Sequence, residues 1–257
     1  MATYLLKKSY RLRDLKEIDF KNLWGDHGIF TTMWIFGKPA KILFFENHIK
    51  NLVRSLNEYG INKNLIKKDI LKIIKKNLIK KNSYNHLLRV ALNKNTISIS
   101  LRKRMTPKLD FNLKLVNLKR EKPQYKNLKY KKILSYLSKM DNTKSDIGLV
   151  FKKKILESGT SNLLFIKDKK IFVPKKGYYE GNTYKFLKTK VKRIFKKDIF
   201  IFGLKNFDEI LLIGSGKGVT SVKTIKQIGW RRNNLKYYKF FYKHYQLAIK
   251  KCNFYKF

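Results

Sequence analysis

Apolar positions recur along the chain with two periods, and the switches between them mark out its elements. After the glycine-flanked Gly25-Asp26-His27-Gly28, the β-branched and aromatic run Ile29 to Phe36 predicts a strand. Gly37-Lys38-Pro39 turns the chain, and Ala40 to Phe45 predicts the returning strand of a hairpin. The period then lengthens. Ile49, Leu52, Val53 and Leu56 lie at helical spacing within Glu46 to Tyr59, which stops near Gly60, and Leu65, Ile70, Ile73, Ile74 and Leu78 give a second helix over Lys63 to Lys80. His86 to Leu92, Thr96 to Leu101 and Phe111 to Leu118 return to strand patterning. This is an α+β domain, with helices covering one side of an antiparallel sheet.

The charged, proline-broken Lys119-Arg120-Glu121-Lys122-Pro123-Gln124 reads as a linker, which predicts an N-terminal domain over 1–118, a linker over 119–125 and a larger domain over 126–257. The second half predicts a helix over Lys131 to Met140 and paired strands Asp146 to Phe151 and Lys154 to Glu157. A tight turn at Ser158-Gly159-Thr160 then leads into strands Leu163 to Lys167 and Ile171 to Pro174. A helix over Lys185 to Phe195, a strand over Phe207 to Ile213, the glycine-rich Gly214-Ser215-Gly216-Lys217-Gly218 and an aromatic, basic helix over Leu235 to Phe257 complete the pattern.

With 257 residues, 43% of them hydrophobic, the chain can bury a core, in one large domain or two small ones. Sixty-one basic residues against 17 acidic give a net charge of +44. Such a charge raises nucleic acid or an anionic surface as partners, but the lysines run from Lys7 to Lys256 without gathering on one arm. Alongside abundant Ile and Asn they read as the drift of an AT-rich genome, so nucleic-acid binding is expected only as a non-specific property; carboxylate or phosphate ligands would still be drawn in. The single cysteine, Cys252, cannot form an internal disulfide, and no stretch approaches the ~18 apolar residues of a membrane span. A soluble, cytoplasmic protein is expected. The four histidines stand too far apart for metal-ligand spacing, and no metal site is expected.

One lysine, Lys126, precedes a single glutamate, Glu157, at the head of a small-residue turn. That order suits a pyridoxal 5'-phosphate (PLP) enzyme, in which an amine holds the cofactor aldehyde and an acid keeps the pyridine nitrogen protonated. Lys126 to Tyr130 and Glu157-Ser158-Gly159-Thr160-Ser161-Asn162 resemble the motifs of the class IV aminotransferase family, PLP fold-type IV. Phe30-Thr31-Thr32 resembles the family's N-terminal segment facing the cofactor, most like its aminodeoxychorismate lyase branch. His48-Ile49-Lys50-Asn51-Leu52 is similar to the helix motif whose arginine grips the phosphate, with asparagine in the arginine's place; Arg54, three positions on, is the substitute. Lys129 stands where the family has asparagine, which makes it the rival nucleophile. Gly181-Asn182-Thr183-Tyr184 and the loop at Ser215 and Gly216 resemble the two phosphate-holding segments, with Ser221 where proline is usual.

The resemblance implies a two-domain α+β fold, normally homodimeric, with the cofactor between domains. It assigns Lys126 as catalytic, Glu157 to the pyridine nitrogen, and Gly181, Thr183, Ser215, Gly216 and Arg54 to the phosphate. Thr31, Thr32 and Arg89 are the candidates for meeting an amino or keto acid substrate, or aminodeoxychorismate. The Phe30-Thr31-Thr32 version favours the lyase that yields 4-aminobenzoate and pyruvate for folate synthesis. The alternatives are transamination of branched-chain or D-amino acids and, outside enzymes, an inactivated scaffold that binds nucleic acid through its basic surface.

Overall fold

The strands expected between residues 29 and 101 pair into one antiparallel sheet. The computed structural model describes residues 3–61 and 65–256. It divides into two compact units: Met1–Arg104 with Tyr125–Lys131 and Lys251–Phe257, and Met105–Gln124 with Lys132–Lys250. No helix among the described residues is long and apolar enough to cross a membrane.

The first unit contains β1 (Tyr4–Arg11), β2 (Glu17–Ile18), β3 (Gly28–Gly37), β4 (Lys41–Ile42), α1 (Phe45–Arg54), α2 (Ile66–Asn77), β5 (Tyr84–Asn93) and β6 (Thr96–Lys103). Its sheet runs β2-β1-β6-β5-β3-β4. Because side chains alternate across a strand, one face carries Met33, Ile35, Leu88, Val90, Ile97 and Ile99 against Ile49 and Leu52 of α1 and Ile70 and Ile74 of α2. The opposite face carries Phe30 and Ala91, packed with Leu23 and Leu128. The hairpin strand expected over 40–45 shrinks to the two residues of β4. Phe44 adopts a left-handed φ of 56° and directs the chain into α1 at Phe45. The start of the expected second helix, residues 63 and 64, lies outside the described residues.

The second unit contains β7 (Asp110–Asn117), most of α3 (Lys131–Leu137), β8 (Ser145–Phe151), β9 (Lys154–Ser158), β10 (Asn162–Lys167), β11 (Lys170–Pro174), α4 (Asn182–Lys188), β12 (Phe195–Lys197), β13 (Glu209–Gly214), β14 (Gly218–Ile225), β15 (Trp230–Arg231) and α5 (Lys236–Lys250). Its mixed sheet runs β12-β11-β10-β13-β14-β7-β8-β9, with β15 beside β14. Phe111, Leu113, Phe165, Leu212 and Val222 form its core.

Two organisational expectations give way. The strand over 111–118, expected in the first domain, is β7, which pairs in parallel with β8 and β14 of the second sheet. Alternation identifies a strand but not its partner. The expected linker is not loose either, because Arg120 is buried within the second unit. Helix 185–195 also shortens, to the seven residues of α4, and Phe195 enters β12 beside Phe172.

Candidate active site

In the first unit Lys126 sits on a segment stitched to β3. Phe30 N–H donates to the Lys126 carbonyl at 2.9 Å, and Leu128 N–H donates to the Gly28 carbonyl at 2.9 Å. Glycine is required at 28, since a Cβ there would lie 2.1 Å from the Leu92 carbonyl oxygen of β5 and 2.8 Å from Leu128 Cδ1 of this segment. The lysine Nζ stands 5.2 Å from the centre of the Phe30 ring. His48 of α1 is fully buried and bonds through Nδ1 to Thr31 Oγ1 at 2.7 Å. Burial, reinforced by the Lys126 charge, holds the imidazole down to about pKa 3. His48 is therefore neutral at ordinary pH, beside the candidate amine.

Thr31 and Thr32 point to opposite faces of the sheet. Thr31 joins His48 on the helix-covered face. Thr32 pairs across the strands with Arg89, and Arg89 pairs with Ser100, which makes a polar row on the Phe30 face. The Arg89 guanidinium lies 4.3 Å from the centre of the Trp24 ring, and its Nη2 donates to the Asn22 carbonyl at 2.7 Å. Its Nε is buried and has no partner among the described residues. Burial brings its pKa down to about 10, so it stays cationic at neutral pH. Arg54 ends α1 on an exposed surface, while Asn51 is half-buried.

In the second unit Glu157 is clamped. Arg120 Nε and Nη2 donate to its two carboxylate oxygens at 2.5 and 3.1 Å, and Tyr179 N–H adds a third bond at 3.2 Å. Both side chains of the ion pair are almost fully buried. A carboxylate accepts about four hydrogen bonds, so roughly one direction remains for another donor.

The three turns that follow the family's motifs are tied to one another. Buried Asp146 accepts from Ser158 Oγ at 3.0 Å and Thr160 Oγ1 at 2.9 Å, and pairs with Lys217 Nζ at 3.0 Å. Asn162 donates to the Tyr179 carbonyl at 2.5 Å and accepts from Gly181 N–H at 3.0 Å. The Gly181 amide is thus engaged by the protein itself. Ser215 and Gly216 lie half-buried in the turn held by Lys217. Thr183 is fully buried in the first turn of α4, and its hydroxyl has no partner among the described residues. A buried hydroxyl without a partner is costly, and a phosphate oxygen is the kind of acceptor that would relieve it. In this respect the second unit fits PLP.

Sequence reasoning missed Arg120, Asp146 and Lys217. Arg120 was hidden in a stretch taken for linker. Asp146 was placed on its strand without a role, and Lys217 was one lysine among many.

Residues 28–225 match the family model for amino-transferase class IV. The chain belongs to that family, whose members are PLP-dependent transaminases and lyases. Solved structures share its fold. A protein of Legionella pneumophila assigned as a 4-amino-4-deoxychorismate lyase superposes with a TM-score of 0.69 at 18% identity, covering 86% of this chain and 91% of that one. The branched-chain aminotransferase of Thermoproteus uzoniensis reaches 0.77 at 13% identity, covering 98% and 96%, and that of Escherichia coli 0.71 at 15%, covering 97% and 94%. A search of the curated proteins finds no sequence match.

Proposed function

We propose that this enzyme is a 4-amino-4-deoxychorismate lyase, releasing 4-aminobenzoate and pyruvate in folate synthesis, as a cytoplasmic homodimer. The observation that carries the reading is the polar row of Thr32, Arg89 and Ser100 on the first sheet. Its buried guanidinium keeps an Nε–H with no partner among the described residues, a donor suited to a carboxylate. Aminodeoxychorismate brings two carboxylates, one more than a branched-chain amino acid. The Phe30-Thr31-Thr32 segment supports the same choice.

When bound, PLP supplies an electron sink for the substrate carbon that loses its proton. Lys126 would hold the cofactor, and its amine would carry the proton as general base and then acid. Neutral His48 adds no second positive charge beside that amine. Arg120 fixes the Glu157 carboxylate, which would meet the pyridine nitrogen. Thr183, with the Ser215-Gly216 turn, takes the phosphate; Arg54, exposed, is the weakest of the proposed phosphate contacts.

The test is to feed PLP-loaded protein aminodeoxychorismate, or a branched-chain or D-amino acid with a keto-acid acceptor. Pyruvate formed without any acceptor supports the lyase. Turnover only with an acceptor sinks it in favour of transamination. A protein that takes up no PLP yet binds RNA or DNA in a salt-dependent way would be the inactivated scaffold. Borohydride reduction with peptide mapping locates the nucleophile, and label on Lys129 instead of Lys126 would overturn the lysine assignment.

A further inference from the structure

The second unit carries an open cavity of about 480 Å³, a size within the roughly 300–1,000 Å³ of small-molecule sites. Six of its eleven lining residues are cationic: Lys169, Lys170, Lys190, Lys192, Arg193 and Lys236. In the whole chain Lys and Arg make up 61 of 257 residues, so the cavity holds about twice the background density. No lining residue is acidic, and among the described residues none of the six cations has a carboxylate partner. Elsewhere in this unit lysines do find partners, as Lys154 does with Asp198 and Lys217 with Asp146. The remaining wall is largely aromatic. Phe195 lies under the Arg193 guanidinium at 4.5 Å, Tyr237 anchors α5 by donating to the Lys169 carbonyl at 2.6 Å, and Phe240 is 38% exposed.

This cavity is separate from the phosphate-holding turns. Lys169 and Lys170 lie past the far end of β10 from Asn162, roughly 16 Å along a strand of that length. Lys190 to Arg193 follow the far end of α4 from Thr183. The first amides of α5 are already engaged by buried Glu209, which accepts from Tyr237 and Tyr238 N–H at 2.9 and 2.7 Å. The attraction at this place therefore comes from side chains.

We propose that this cavity is a second ligand site of the enzyme, and that it takes a nucleoside polyphosphate: a chain of phosphates among the six cations with a planar base against Phe240. Cations alone would accept any polyanion. An exposed ring beside them adds a face for stacking, the pairing by which proteins hold nucleotide bases without reading their edges. The proposal does not depend on which reaction the PLP site performs.

The experiment uses the PLP-loaded protein at 0.15 M salt, about physiological ionic strength, and measures binding of ATP, inorganic tripolyphosphate and adenosine by calorimetry. ATP is expected to bind more tightly than tripolyphosphate, and adenosine not measurably. The triple variant K190A/K192A/R193A should weaken ATP by ~10-fold or more, and a second set, K169A/K170A/K236A, should do the same if the first folds poorly. Phe240→Ala should bring ATP down to the level of tripolyphosphate. The control K67A/K68A/K72A removes three exposed lysines from α2. If it weakens ATP as much as the cavity variants do, or if wild-type protein binds tripolyphosphate as tightly as ATP, the site does not exist as described. Binding only of long single-stranded RNA, lost equally in the control, would also overturn it. An unchanged PLP absorbance throughout separates this outcome from any failure of the active-site assignment.

Discussion

Arg120 and Glu157 form a buried two-point ion pair, at 2.5 Å from Nε to Oε1 and 3.1 Å from Nη2 to Oε2. Removing one member of such a pair strands the other charge, which typically costs about 3–5 kcal/mol. Arg120→Ala is therefore expected to lower the urea midpoint of the second unit sharply, and Arg120→Lys, which loses the planar fork, to recover only part of it. The double variant with Glu157→Ala should be less damaged than the sum of the single ones. Additive losses in that cycle would show that the pair is not a unit.

His48 gives the protein an acid-sensitive step. Its pKa is about 3 in the folded chain and near 6.5 when unfolded. Between those values the unfolded state binds a proton that the folded state refuses, so stability falls as pH drops from about 6.5 toward 3. Each pH unit within that window removes on the order of 1.4 kcal/mol. Denaturant midpoints measured at pH 7, 5.5 and 4 should decline more steeply in the wild type than in His48→Gln. Parallel declines would mean that the imidazole is not the titrating group.

Thr183 should show opposite effects with and without cofactor. Its buried hydroxyl has no partner among the described residues, so the near-isosteric Thr183→Val is expected to leave apo-protein stability unchanged or raised by about 1 kcal/mol. The same change should weaken PLP but not pyridoxal, which has no phosphate. Equal affinity of wild type and variant for PLP would remove Thr183 from the phosphate site.

Asp146 joins two turns through a single carboxylate. Asp146→Asn keeps the shape but leaves Lys217, only 9% exposed, without its counter-charge. PLP affinity read by absorbance titration should drop by about tenfold or more, with Lys217→Met at least partly correcting the loss by withdrawing the stranded ammonium. A tight PLP complex in Asp146→Asn would show that the link between the turns is not needed.

Arg89→Met tests the substrate side. Hydrogen bonds to charged groups contribute about 1.5–3 kcal/mol, so kcat/KM for a carboxylate substrate should fall roughly 10- to 150-fold while the PLP spectrum stays the same. Unaltered kcat/KM would move the carboxylate site elsewhere.

Much of this was legible in the sequence for physical reasons. Long apolar runs such as 163–167 and 86–92 carry their own strand signal, and β10 and β5 lie where the pattern puts them. The family resemblance, which the match over residues 28–225 bears out, was drawn from the order of Lys126 and Glu157 along the chain. What stayed hidden depends on distant pairing. Nothing local tells that β7 joins β14 over a hundred residues later, or that Arg120 turns inward to Glu157. A hint was present, because the chain keeps only 10 arginines beside 51 lysines. A buried two-point contact is one place where lysine cannot substitute.

The first unit draws on three separate stretches of chain, and its last piece is close to the C-terminal end of the sequence. Tyr255 N–H donates to the Ala40 carbonyl at 2.7 Å, and its ring meets Phe45 edge-on. On a ribosome, β1 to β6 emerge long before this partner exists. The first unit therefore cannot be completed until the entire second unit has been synthesised. A premature stop near residue 250 would thus injure the part of the protein made first, and a fragment ending at residue 118 would lack both the stretch that bears Lys126 and the closing strap.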